Sequence, residues 1–132
     1  MKNIFIYSNL SIQGLMKNFV KVMKALSDPN RIKIIKMLQH RELCVCEIQK
    51  GLSLAQSTTS KHLKILEDAD IVIFNKQGLW INYSLSDGCN NNYVSVILGN
   101  LKHWLNDDPQ ISLLIKLLPD LDRNIICGCS KE

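Results

Sequence analysis

Cys44 and Cys46 stand one residue apart in Arg41-Glu-Leu-Cys-Val-Cys-Glu-Ile48, and Ala55-Gln-Ser-Thr-Thr-Ser-Lys-His-Leu63 follows closely. Paired thiolates are soft donors and select soft, thiophilic ions. Gln56, Ser57, Thr58, Thr59 and Ser60 are small or flexible polar residues of the kind that read base edges in the DNA major groove. Lys61 and Lys64 suit phosphates, which fix register and affinity. His62 reads as a phosphate contact or as a hydrogen-bonded structural histidine. The closeness of the two segments suggests that holding an ion and holding DNA are coupled within one small domain.

The chain carries five cysteines, and Cys127-Gly-Cys129 forms a second closely spaced pair near its end. A disulfide between residues so close encloses almost no chain and staples nothing. In a reducing compartment such thiols read as metal ligands or redox groups. Cys89 stands alone and reads as a small buried hydrophobe. The N-terminus lacks a secretion signal, and no run is long enough to span a membrane. A cytoplasmic protein is therefore expected. There is no phosphate-cradling glycine loop, no Cys-x-x-Cys and no cysteine paired with a base, so an enzyme is not expected. The net charge of +4 is compatible with nucleic acid. No acidic residue lies between Glu47 and Glu67, where Lys50, Lys61, His62 and Lys64 cluster, although charge alone favours a solvated helix face.

The elements that position these residues follow from spacing. Residues 1–14 read as an N-terminal extension. Leu15, Phe19, Val22, Met23 and Leu26 recur at helical spacing. Asp28-Pro29 gives an N-cap and first helical residue for a second helix ending near His40. A short third helix covers about Val45 to Gly51, with Gly51 as its stop. A fourth runs from about Gln56 to Ala69, with Leu63 and Leu66 inward. Ile71 to Phe74 and Leu79 to Leu85, separated by Asn75-Lys-Gln-Gly78, form a β-hairpin. Tyr93 to Leu105 reads as a fifth helix, and Ile111 to Leu118 as a further one within a C-terminal segment, 107–132.

Short helix, tight turn, polar-faced helix and hairpin together predict a mainly α, winged helix-turn-helix domain over residues 15–106. Its second helix enters the major groove, and Lys76 and Gln77 on the hairpin reach the minor groove or backbone.

The chain resembles the ArsR/SmtB family of metal-responsive repressors. The resemblance rests on Ala25-Leu-Ser-Asp-Pro-Asn-Arg-Ile32, Glu42-Leu-Cys-Val-Cys-Glu-Ile48, Gln56-Ser-Thr-Thr-Ser-Lys-His-Leu63 and the wing Gln77-Gly-Leu-Trp-Ile-Asn-Tyr-Ser84. It implies a homodimer, joined by the first and fifth helices, that represses by binding double-stranded operator DNA and leaves it when metal binds. Four positions depart from the family. Ala55 stands where a serine usually caps the recognition helix, and Ser53 and Asp70 replace turn glycines. Thr59 replaces a β-branched apolar residue.

The Leu-Cys-Val-Cys element is similar to that of the arsenic and cadmium/lead sensors of this family. The resemblance implies As(III) or Sb(III) as inducer, bound by three thiolates. Gln49 occupies the position of the third cysteine in one well-known pattern, so the third donor comes from elsewhere. Cys127 and Cys129 are preferred over Cys89. No cysteine lies within residues 1–43, against the N-terminal arm of a cadmium/lead sensor. A cadmium/lead-responsive repressor and a thiol-redox repressor remain the alternatives. If Cys44 and Cys46 both lie on a helix, they point about 200° apart, and chelation by one ion must distort the start of the third helix.

Overall fold

The computed structural model describes the backbone of residues 2–126 and the side chains of residues 14–126. Helix α1 spans Lys2–Ala25 and α2 spans Pro29–Leu38. A two-residue strand, β1 (Leu43–Cys44), leads into α3 (Val45–Leu52) and then α4 (Gln56–Asp68). Strands β2 (Val72–Gln77) and β3 (Trp80–Leu85) form the hairpin. Helices α5 (Asn92–Leu101) and α6 (Pro109–Leu117), a 3₁₀ turn (Leu118–Asp120) and α7 (Arg123–Ile126) complete the described chain. This is the winged helix-turn-helix arrangement: α3, a tight turn, α4, then the β2–β3 wing.

The helix starts are set by side chains that take otherwise unpaired amides. Asp28 accepts from the amides of Asn30 and Arg31 ahead of α2, with Pro29 in the first turn. Asn91 caps α5 and Asp108 caps α6 in the same way. Ile34, Ile35, Met37, Leu43, Ile48, Leu63, Leu66, Ile71 and Val94 fill the centre of the core. Leu114, Leu118 and Leu121 join that core, so α6 and the 3₁₀ turn after it pack onto the domain.

Several boundaries differ from the sequence reading. The first helix begins at Lys2, thirteen residues before the periodic stretch from Leu15. Gly51 does not end α3. The helix runs to Leu52, and Ser53 turns the chain in the left-handed region at φ 56°. Gly51 serves close packing: a Cβ there would lie 2.7 Å from Met37 Cε and 3.1 Å from Leu121 Cδ1. Asp70 also has positive φ, at 63°, so both positions that replace turn glycines keep the backbone shape a glycine would give. Strand β2 runs further and the turn is shorter than expected, while β3 begins one residue later, at Trp80. Asn75, Lys76 and Gln77 are strand residues, and Gly78-Leu79 makes the turn with Gly78 at φ 61°. Strand β1 pairs with β3, making a three-stranded antiparallel sheet in the order β1-β3-β2.

The fifth helix ends at Leu101, before Trp104 and Leu105, and Lys36 accounts for this. Its buried ammonium donates to Leu101 O (2.6 Å), Trp104 O (2.9 Å) and Asn106 Oδ1 (2.7 Å). A continuing helix would offer the Leu101 carbonyl to the Leu105 amide. Here the cation takes it, and Leu105 adopts φ 67°. Burial pushes the Lys36 pKa below the usual lysine value, while all three of its donors are satisfied. Lys36→Met, which keeps the aliphatic bulk and removes the donors, is expected to lower the unfolding free energy by about 2–3 kcal/mol, measured by urea denaturation.

Candidate nucleic-acid interface and thiol site

Helix α4 presents Gln56, Ser57, Thr58, Ser60, Lys61 and Lys64 to solvent. Thr59 does not belong with them. It is fully buried, and its hydroxyl donates to Ala55 O at 3.0 Å. It packs on the inner face and cannot read a base there. Its inward place agrees with the apolar residue that family members carry at this position. Ala55 occupies the N-cap and supplies no side-chain hydrogen bond, so that cap is lost, a cost of about 1 kcal/mol relative to serine.

His62 is half-buried, and its Nδ1 lies 3.2 Å from an Arg31 guanidinium nitrogen. Arg31 also donates to Ala25 O and Lys24 O. The histidine thereby joins α4 to the end of α1 and the start of α2. Lys64 is exposed but already paired, with Glu67 at 3.2 Å and Asp68 at 3.3 Å. The hydrogen bond to Glu67, foremost, raises its pKa. Lys76 and Gln77 lie exposed at the wing tip. Gln77 Oε1 accepts from Asn82 Nδ2 at 2.6 Å.

Cys44 is the last residue of β1 and the N-cap of α3, with φ −85° and ψ 168°. Only Cys46 lies on the helix, so the premise that both cysteines share one helical turn is corrected. The sequence Cys44-Val-Cys-Glu47 is a capping box with sulfur in the place of a hydroxyl. The Cys44 amide donates to Glu47 Oε1 at 2.9 Å, while the sulfur faces the Glu47 amide. Cys44 is only 2% exposed, and this burial pushes its thiol pKa up, partly opposed by the Glu47 amide. Cys46 is half-buried and is not a free thiol. It borders a cleft of about 410 Å³ with Gln49, Lys50, Ser53, Leu54 and Ile126.

Cys89 is exposed, not packed into the core. It sits in a loop where its amide donates to Asp87 Oδ1 at 2.9 Å, and its thiol is held up in pKa by a hydrogen bond to that carboxylate. Cys127 and Cys129 lie outside the described residues. Among the described residues no group of three or more His, Cys, Asp or Glu side chains is assembled as a metal site. Neither is any helix there long and apolar enough to cross a membrane.

The family model described as "Bacterial regulatory protein, arsR family" matches residues 28–73, from the cap of α2 into β2. The chain is 35% identical over 74 residues to the arsenical resistance operon repressor of Bacillus subtilis, covering 55% of this chain and 70% of that one. The chain belongs to the arsR family. It is 41% identical over 68 residues to a homolog of the cadmium resistance transcriptional regulatory protein CadC of Staphylococcus aureus, covering 51% of this chain and 56% of the relative. Among solved structures it resembles HlyU from Vibrio cholerae, at TM-score 0.58 and 29% identity, covering 68% of this chain and 94% of that one. As an arsR-family protein it is a DNA-binding transcriptional regulator and not an enzyme.

Sequence reasoning missed the residue that organises this arsR-family thiol site. Glu47 is 5% exposed and uses both carboxylate oxygens: Oε1 on the Cys44 amide and Oε2 on Arg41 at 3.2 Å. The three-residue spacing from Cys44 to Glu47 was the available signal. Glu47→Ala is expected to cost about 2 kcal/mol, because it strands a buried amide and frees Arg41. Glu47→Gln, which still offers an oxygen to Cys44, is expected to cost less than half of that; chemical denaturation of the three proteins makes the comparison.

Proposed function

We propose that this chain is a homodimeric transcriptional repressor that holds operator DNA through α4 and the wing and is released by As(III) or Sb(III) bound at cysteine thiolates. The observation that carries the reading is the joint placement of two surfaces. The exposed polar face of α4 starts four residues after α3 ends, and α3 opens on the Cys44–Cys46 pair.

On this reading Gln56, Ser57, Thr58 and Ser60 approach base edges and Lys61 meets phosphate. Lys76 and Gln77 touch the backbone or minor groove from the wing. Lys64 contributes less, since two carboxylates already neutralise it. Thr59 and His62 support the helix and do not contact DNA.

Cys44 and, in its reduced form, Cys46 supply two thiolates, and soft donors suit a thiophilic ion. The third comes from Cys127 or Cys129. Ile126, the residue before Cys127 in the sequence, lines the same cleft as Cys46, and this supports the choice. An ion that takes the Cys44 sulfur removes it from the Glu47 amide and disturbs the start of α3. Helix α3 packs on α4. Differential affinity for the two arrangements then weakens DNA binding by the same factor by which DNA weakens ion binding.

An apolar surface supports dimerisation through α1 and α5. Leu15, Met16, Phe19 and Val20 on α1, Val96 on α5 and Trp104 just beyond it are all exposed. Phe19 meets Tyr93 edge-on at 5.2 Å, joining the two helices. Names of relatives favour both arsenical and cadmium responses, so cadmium is the second reading.

Fluorescence anisotropy on the promoter DNA, titrated with arsenite, antimonite and cadmium, tests the proposal. The parent protein is expected to leave DNA at near-stoichiometric arsenite. Cys44→Ser/Cys46→Ser is expected to keep operator affinity and lose the release. If that double variant still lets go on arsenite addition, the site is wrong; release by cadmium alone moves the assignment to the second reading. Gln56→Ala is expected to weaken operator binding by about 1–3 kcal/mol, whereas Thr59→Val is expected to leave it within about twofold, since the loss of one buried hydroxyl bond falls mainly on stability.

A further inference from the structure

One buried amide joins the C-terminal segment to the wing. Asn82 on β3 is 6% exposed. Its Oδ1 accepts from Arg123 at 2.7 Å, and its Nδ2 donates to Gln77 Oε1 at 2.6 Å. A guanidinium only donates, so Arg123 fixes which end of the amide faces it and turns the NH₂ group toward Gln77. The backbone of Asn82 pairs with Cys44 on β1 and with Asn75 on β2. Arg123 also lies over the Trp80 ring, 4.6 Å from its centroid, a contact that adds to the hold on β3.

Arg123 opens α7, and Ile126 closes it beside Cys46. The same short helix therefore grips the wing at one end and borders the thiol cleft at the other. The chain leading into it is held by Arg41, which donates to Leu118 O and Leu121 O while it binds Glu47.

We propose that Asn82 is a positioning residue for DNA binding: held by Arg123, it sets the pose of Gln77 and thereby couples α7 to the wing tip. The proposal rests on the reading of the wing as a DNA contact. Loss of the Arg123 contact frees the amide to rotate and releases Gln77 from a defined orientation.

Full-length proteins carrying Arg123→Gln, Gln77→Ala or both, titrated onto operator DNA without metal, test it. Each single change is expected to weaken binding about five- to tenfold, and the pair no more than the weaker single, because non-additivity marks residues that act through one another. Asn82→Asp still accepts from Arg123 but cannot donate to Gln77, and it is expected to match Gln77→Ala. Folding is checked by thermal midpoint and by Trp80 emission in a Trp104→Phe background. In that background Trp80 is the single remaining tryptophan of the two in the chain, and removing the Arg123 cation is expected to change its emission. Losses that multiply, an Arg123→Gln protein that binds like the parent, or an unaffected Asn82→Asp protein would each overturn the relay while wing contact stands. A Gln77→Ala protein that binds like the parent would instead sink the wing-contact reading on which the relay depends.

Discussion

The buried carboxylate of Glu47 is the constraint around which the thiol site is built. One oxygen holds the Cys44 amide, and the other holds Arg41, which reaches across to two carbonyls of the C-terminal segment. A carboxylate so enclosed is costly unless its oxygens are occupied. Satisfying them brings together β1, the first turn of α3 and the 3₁₀ turn after α6. The sheet follows from this, because the strand that ends at Cys44 pairs with β3. The wing and the thiol site are thus two edges of one small polar assembly.

Position along α4 divides the work of the recognition helix. Leu63 and Leu66 point inward with Thr59, and Ser60, Lys61, Lys64 and Ile65 face water. Arg31 then pins the helix through His62 to the α1–α2 corner. Charge on the outer face is uneven, since Lys61 is free of the acidic partners that Lys64 has. Net charge therefore says less about phosphate binding than the identity of the unpaired cation does.

The main architecture was legible in the sequence because its signals are local. Asp28-Pro29, the Leu63/Leu66 spacing and the β-branched run of the hairpin each report on residues within one or two turns. Ser53 and Asp70, which stand where the family carries turn glycines, both take positive φ. What sequence concealed depends on partners far along the chain. Strand β1 is only two residues long and exists because β3 lies beside it. The end of α5 is decided by Lys36, sixty-five residues earlier. Thr59 looks like any other hydroxyl in a polar run, and only packing shows that it faces inward. The exposure of Cys89 reflects a loop turned by Asp87, not the usual preference of cysteine for the core. Residues 1–14 carry no apolar period, yet the helix from Lys2 continues without a break into the periodic stretch.

The cap that begins α3 also has a consequence in time. Cys44 is almost wholly enclosed, and its thiol favours the protonated form. A reagent that needs this sulfur must wait for the β1–α3 junction to open. At low reagent concentration the rate of capture rises with concentration, but at high concentration it levels off at the opening rate. The ceiling belongs to the protein and not to the reagent, and it is set by the activation barrier to a local, not a global, unfolding event. The same few hydrogen bonds that fix the geometry of the junction therefore act as its clock.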